Sequence, residues 1–252
     1  MSVRHRLGQR LARYLARPRA GHSSLPATTP EDLGAVLQVG DVLLVEGTSR
    51  LSTVIKYLTQ STWSHAALYV GDRLGGAAML VEADVAEGVR RVPLSLYSDL
   101  HTRICRPVGL GPADVDALLD FVRTRLGNAY DLRNVFDLLR YLVRVPVPTP
   151  MKRRMIALGS GDPTRAICST LLAQAFESIR YPILPQVESI PPAHPGAARV
   201  RREILHIRNY SLFVPRDFDV SPYFRIVKPR LDEDFDYRRL SWGDTGPAAG
   251  DG

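Results

Sequence analysis

The sequence predicts an α+β fold, a small antiparallel sheet or barrel of successive strands packed against helices that follow it. Three observations carry this. Between Asp41 and Val108, short apolar runs recur at hairpin-like spacing, separated by Gly-Asp, Gly-Gly and similar turn signals. After Gly111 the period lengthens to that of a helix. The 252 residues, 45% apolar and 23% charged, have the composition of a globular chain with room for one sizeable domain and appendages.

The chain opens on an arm, residues 1–30, that carries Arg4, Arg6, Arg10, Arg13, Arg17 and Arg19 and no acid. Val3, Leu7, Leu11 and Leu15 recur at every fourth position with Tyr14 alongside, which predicts a short basic amphipathic helix ending before Pro18. A linker over 18–30 follows. No continuous apolar core follows the basic start, so the arm is not a secretory signal. Residues 1–17 have two readings. One is docking on an anionic membrane surface or an acidic partner; the other is a Leu stripe packed on the chain's own domain.

Residues 31–230 read as the folded domain with a C-terminal extension, and from Gln38 its texture is that of strands. DVLLVEG reads as a buried strand, and SRLSTVIKYLTQ as a helix with Leu51, Val54, Ile55 and Leu58 on one face. HAALYVG, AMLVEA, GVRRVPL and RICRPV are four further strands. PADVDALLDFVRTRLG is a helix with Pro112 at its start, Gly127 at its end and Val115, Leu118, Leu119, Val122 and Leu126 on one stripe. NVFDLLRYLVR predicts a second helix. A Pro-rich break, VPVPTPMKRRM, precedes a third, over roughly 163–179. The stretch VRVPVPTPMKRRMIALGSGD reads as a surface loop or a lid beside the site, and 185–198 as Pro- and Ala-rich linker. Residues 231–252 have the composition of a disordered acidic tail.

Several functions are excluded or left without support. No apolar run approaches the roughly 20 residues of a membrane-spanning helix. Two cysteines, Cys105 and Cys168, cannot make a disulfide framework or a Cys-rich zinc site. The net charge of +7 resides largely in the arm, and no zinc finger, RNP-type or helix-turn-helix signature points to nucleic acid. His5, His22, His101, His194 and His206 lack metal-ligand spacing. There is no G-x-S-x-G elbow and no phosphate-binding glycine loop. The expected chemistry uses no cofactor and no metal.

What remains is a thiol. Cys168 lies on the third helix beside Ile167, at the edge of a stripe formed by Leu171, Leu172, Ala175 and Phe176, and is followed by Ser169 and Thr170. Near a helix start, backbone N–H groups stabilise the thiolate. With Asp162 as cap and Pro163 first, however, Cys168 falls in the second turn, where that field is weaker. A histidine then does more of the activating, and His65, opening its strand, is the candidate, its ring projecting from the strand edge towards the helix. An imidazole in this role needs an orienting acceptor, and Glu82, an acid within an apolar run on the next strand, can supply one. On the residues alone each has a plainer reading: a packed thiol, a surface histidine, a solvent-facing glutamate. Cys105, within RICRPV, reads as a buried structural thiol.

The segments GDVLLV, SHAALYVG, VEA, GVRRVPL, GNAYDL and ICSTLLAQAF together resemble the circularly permuted papain-like amidases. These are the YiiX/YaeF-type relatives of the NlpC cell-wall hydrolases, distantly related to lecithin–retinol acyltransferase. The resemblance spans about residues 36–185, and SLFVPRDFDVSPYFRIVKP is similar too. It implies a permuted papain-like (NlpC-type) fold and a bacterial thiol hydrolase. In it Cys168 is the nucleophile, His65 the general base and Glu82 the polar third member. Tyr130, in the Gly-x-x-Tyr-Asp match, is implied at the pocket, with Trp63, Ser64 and Ser169 as further substrate contacts. The substrate implied is an amide or peptide bond, with a lipid acyl group handled at a membrane surface as the alternative. A non-catalytic membrane-associated module with an idle thiol is the competing class. The chain is expected in the cytoplasm, with the inner membrane face as its peripheral site.

Overall fold

The computed structural model describes Tyr14 and residues 28–128, 167–190, 202–206 and 213–229, with side chains at 14, 28–128, 169–185 and 213–229. The elements in chain order are α1 (Pro30–Val36), β1 (Val42–Val45), α2 (Arg50–Thr59), β2 (His65–Gly71), β3 (Met79–Asp84) and β4 (Gly88–Pro93). A short 3₁₀ helix (Leu94–Tyr97) leads to β5 (Thr102–Pro107) and α3 (Pro112–Arg125). Then come α4 (Ile167–Ser178), β6 (Gln186–Ile190), β7 (Arg202–His206), α5 (Pro215–Val220) and β8 (Phe224–Val227).

Six strands form one open antiparallel sheet in the order β4-β3-β2-β1-β5-β8. All five strands expected between Asp41 and Val108 are in it, and the sixth, β8, is the edge strand on β5. The helices expected over 49–60 and 112–127 are present as α2 and α3. Of the stripe on α3, Leu118, Leu119 and Val122 are buried, whereas the α2 stripe is only half-buried.

Alternation along the strands gives the sheet two different faces. One is built from Val42, Leu44, Ala66, Leu68, Val81 and Ala83, and takes Leu171, Leu172, Ala175 and Phe176 of α4 together with Leu118 and Val122 of α3. The other is built from Leu43, Val45, Ala67, Leu80 and Ile104, and is covered by Leu33 of α1 and by Leu94 and Tyr97 of the 3₁₀ helix. Phe176 anchors α4 at the far end in a ring cluster, tilted against Phe218 at a centroid distance of 6.1 Å and edge-on to Phe224 at 5.2 Å.

Two segments differ from expectation. The linker reading over 18–30 runs one residue too far, because Pro30 opens α1. Thr29 caps that helix by accepting the Asp32 N–H at 3.2 Å, and Pro30 occupies the first turn, where its missing N–H costs nothing. The region 185–198, read as linker, contains strand β6, which pairs antiparallel with β7 from Gln186↔His206 to Ile190↔Arg202. Local Pro and Ala content concealed it, since ladder pairing depends on a partner strand elsewhere in the chain.

Of the basic arm only Tyr14 is described. It is helical and half-exposed, and the Arg50 guanidinium sits 4.5 Å over its ring. The expected second helix at 134–144, the Pro-rich stretch and lid region at 143–162, and the tail at 231–252 lie outside the described residues. Among the described residues no helix is long and apolar enough to cross a membrane.

A buried ion pair fixes the entry to β1. Asp41, 1% exposed, accepts from Arg106 Nε at 2.9 Å and Nη2 at 2.7 Å, and from the Gln38 N–H at 2.8 Å, while Arg106 Nη2 also reaches the Val36 carbonyl at 2.5 Å. One guanidinium thereby joins α1, β1 and β5. Truncating one member leaves the other as an uncompensated buried charge, so Asp41→Ala should destabilise by about 3–5 kcal/mol in urea unfolding. A loss below about 1 kcal/mol, the range of an exposed pair, would contradict this role.

Candidate active site

Strand β2 begins at His65, which is paired across β1 with Val45. Strand β3 runs back along its other side, with Leu68 opposite Val81 and Tyr69 opposite Leu80. Continuing that register puts Glu82 opposite Ala67 and therefore diagonal to His65 on one face, within reach of a long side chain. The side chains meet there, with His65 Nε2 2.5 Å from Glu82 Oε2.

Glu82 is 3% exposed and fully partnered. The Tyr97 hydroxyl donates to the same Oε2. On the other oxygen, Oε1, it receives Arg90 Nε at 2.9 Å and Nη2 at 2.8 Å. Arg90 arrives from directly across the ladder, where β4 pairs it with Glu82. Burial on its own would raise the Glu82 pKa. The charge and hydrogen bond of His65, the Tyr97 hydroxyl and the Arg90 charge outweigh it and bring the value to about 2. Glu82 is therefore an anion at neutral pH and can only accept hydrogen bonds. The proton in the short bond then belongs to Nε2, which leaves Nδ1 as the nitrogen through which the ring can exchange its other proton.

The loop before His65 is held on two sides. The Trp63 indole N–H donates to Asp219 Oδ2 of α5 at 3.0 Å, and Arg103, over the indole ring at 4.9 Å, binds both oxygens of the same carboxylate at 2.7 and 2.9 Å. His101 packs on the same indole, with centroids 5.1 Å apart. Ser64 Oγ accepts the Gly47 N–H at 2.9 Å. Gly47 has no room for a side chain, because a Cβ there would lie 2.3 Å from Ser52 Oγ and 3.0 Å from Ser64 Oγ. Trp63 and Ser64 are 3% and 2% exposed, and Ser169 is fully buried. All three were expected as substrate contacts. In the folded chain all three side chains are buried, with Trp63 and Ser64 bound as described above.

The thiol side of the site is known through its backbone. Cys168 is the second residue of α4, which runs Ile167–Ser178 and packs on the sheet, one turn before the buried Leu171 and Leu172. The Cys168 side chain lies outside the described residues, as does Tyr130. The expectation placed the His65 ring towards this helix, and the described residues give the face of the sheet that the ring occupies. Ala66 and Leu68 take the α4 side of the sheet, so period-two alternation puts His65 on the opposite side with Val45 and Tyr97. Because His65 is the first residue of β2, the way from α4 to its ring leads round the end of the strand.

The second cysteine has a different environment. Cys105 is fully buried, and burial pushes its thiol far above the ordinary range. Among the described residues no group of three or more His, Cys, Asp or Glu is arranged to hold a metal ion.

Sequence reading missed Arg90 and Tyr97. Arg90 was within reach of it: MLVEADVAEGVRR is a hairpin in which Asp84 pairs with Gly88, and counting outwards puts Arg90 opposite Glu82. Tyr97 carried no such signal, since a 3₁₀ turn folds it back under the sheet.

Residues 36–139 match the family model described as permuted papain-like amidase enzyme, YaeF/YiiX, C92 family. Over these residues the chain is similar to that family, and its open antiparallel sheet with packed helices is an α+β arrangement consistent with that similarity. Among solved structures the chain is similar to the crystal structure of metalloprotein YiiX from Escherichia coli O157:H7. The two are 15% identical, with 76% of this chain and 96% of that chain covered and a TM-score of 0.46. No curated protein matches the chain in sequence.

Two measurements check the site. Gly47→Ala forces the Ser52 and Ser64 hydroxyls apart, and its expected cost is about 1–3 kcal/mol of stability; no loss would mean that the loop yields freely. The second is pH dependence. Glu82 has a folded pKa below its unfolded one, so its contribution to stability is complete above about pH 4.5 and is lost as pH falls towards about 2. In acid titrations followed by circular dichroism, Glu82→Gln should flatten the stability profile across that window. A profile as steep as the wild type's would assign the acid sensitivity to another carboxylate.

Proposed function

We propose that the chain is a cysteine hydrolase of amide or peptide bonds, in which Cys168 is the nucleophile, His65 the proton acceptor and Glu82 the group that orients and charges the imidazole. The observation that carries this reading is the 2.5 Å contact of His65 Nε2 with an ionised, almost fully buried carboxylate. The family match over 36–139 supplies the amidase class, and the substrate bond follows from it.

The proposed chemistry runs through Nδ1. The Cys168 thiol gives its proton to Nδ1, and the imidazolium formed is stabilised by Glu82 through Nε2–H. The thiolate sulfur attacks the carbonyl carbon, and the electron pair of the C=O moves to oxygen. Backbone N–H groups at the head of α4 are the donors suited to that oxyanion. Collapse of the intermediate breaks the C–N bond, Nδ1–H protonates the departing amine, and a thioester remains on Cys168. Water, deprotonated by Nδ1, then releases the acid and restores the thiol. Because His65 stands at the start of β2 on the face away from the α4 stripe, this exchange would take place at the end of the sheet.

The test begins with the thiols and needs no substrate. Iodoacetamide labelling of Cys168 and Cys105 is followed against pH by peptide mass spectrometry in wild type and in His65→Ala. Rapid labelling of Cys168 below about pH 7, lost in the variant, is expected, with Cys105 unreactive as the internal reference. Equal and slow labelling of both cysteines would defeat the hydrolase reading in favour of a binding module with an idle thiol. On a panel of peptide and acyl p-nitroanilides, Cys168→Ala with an unchanged circular dichroism spectrum should lose at least about 10³-fold in turnover.

A further inference from the structure

We propose that Arg90 is a positioning residue whose positive charge, held behind Glu82, limits the basicity of His65, so that the imidazole can return its proton to a leaving group. This rests on His65 as the proton carrier and adds to it a counter-charge from β4.

The geometry divides the Glu82 carboxylate into two halves. Oε2 serves the reaction side, bound to His65 Nε2 at 2.5 Å and to the Tyr97 hydroxyl. Oε1 serves Arg90, which contributes Nε at 2.9 Å and Nη2 at 2.8 Å to that single atom. The guanidinium is aimed, since its remaining nitrogen, Nη1, donates to Glu87, and Nη2 also lies 3.8 Å from Asp84 Oδ2. It is 32% exposed and directly opposite Glu82 in the ladder, so it cannot leave Oε1 without breaking three contacts at once.

A buried carboxylate with only His65 and Tyr97 as partners would place its whole charge on the imidazolium and raise the His65 pKa strongly. A histidine so stabilised takes the thiol proton readily but surrenders it slowly, whereas acid–base transfer is fastest when the pKa lies near the working pH. Arg90 supplies the opposing field. The charged and titratable groups around His65 are then Glu82 and Asp84 from β3, Glu87 from the turn, Arg90 from β4 and Tyr97 from the 3₁₀ helix. Beyond Val45, Glu46 is already paired with Lys56 at 3.0 Å and His101 at 3.3 Å, and Cys168 stands at the second position of α4.

The test is a proton NMR titration of the histidine Cε1–H signals of the full chain from about pH 4 to 9, with the His65 resonance assigned by its disappearance in His65→Ala. Arg90→Gln should move the His65 midpoint upward by about half a pH unit or more, and Glu82→Gln should move it downward. Arg90→Lys, which keeps the charge, should restore a midpoint near that of the wild type. A merely structural Arg90 would cost stability without displacing the midpoint, and an unmoved or lowered midpoint in Arg90→Gln overturns the proposal. Should Arg90→Gln fail to fold because the buried carboxylate has lost its partner on Oε1, the double variant Glu82→Gln/Arg90→Gln carries no such charge. Its midpoint must then lie above that of Glu82→Gln alone, and coincidence of the two overturns the proposal. None of these readings involves Cys168. The displaced midpoint together with an ordinary, slow Cys168 would retain the Arg90 assignment and remove the hydrolase. A fast Cys168 with a midpoint indifferent to Arg90 would do the reverse.

Discussion

A carboxylate buried to 3% exposure inside a sheet is the constraint on which the rest of the site depends. Removing a charge from water costs several kcal/mol unless every lone pair finds a donor. The donors to Glu82 come from three different elements: His65 from β2, Arg90 from β4 and Tyr97 from the 3₁₀ helix. None of these can be displaced without exposing the charge to an unsatisfied interior. The β3–β4 hairpin, the start of β2 and the turn after β4 are therefore locked to one another by the same group that fixes the imidazole tautomer.

The two-faced sheet explains where a reactive centre can form. Each face is closed by its own cover, α4 and α3 on one side and α1 with the 3₁₀ helix on the other. The middle of the sheet is thus sealed, and Cys105 shows the consequence for a thiol placed there: burial raises its pKa and silences it. Only the strand ends have both access and polar partners. His65 sits at such an end, on a loop tied to α5 through Trp63 and Asp219 and to the β1–α2 turn through Ser64 and Gly47. Those ties hold the histidine by its backbone while Glu82 holds it by its ring. Asp219 lies outside the segment that matches the family model, so part of the support for His65 comes from the C-terminal extension.

Much of this was legible in the sequence, and the exceptions have physical causes. The strands and the helices over 49–60 and 112–127 announced themselves by period because each buries a face against a neighbour. Thr29-Pro30-Glu31-Asp32 is a helix start by capping chemistry, although the Pro-rich stretch before it conceals the signal. Strands β6 and β7 are visible only as a pair, since neither has an apolar pattern of its own. At the site, adjacency of His65 and Glu82 follows from register, and the sheet face that His65 shares with Val45 follows from the alternation of Ala66 and Leu68. Tyr97 was beyond reach, because its contact depends on how a turn folds back rather than on any spacing.

The chemical nature of the cluster bears on what it is for. A pair of well-packed apolar residues across β3 and β4 would hold the sheet at least as firmly as Glu82 and Arg90, since buried ion pairs seldom repay their desolvation in stability. What an apolar pair cannot do is fix which imidazole nitrogen bears the proton. The Glu82 arrangement does so, with one oxygen for the imidazole and one for a counter-charge. A histidine with a specified tautomer at a strand end suits the proposed chemistry. A proton carrier working beside a thiol requires one, and its usefulness depends on the balance between the carboxylate that charges it and the guanidinium that limits that charge.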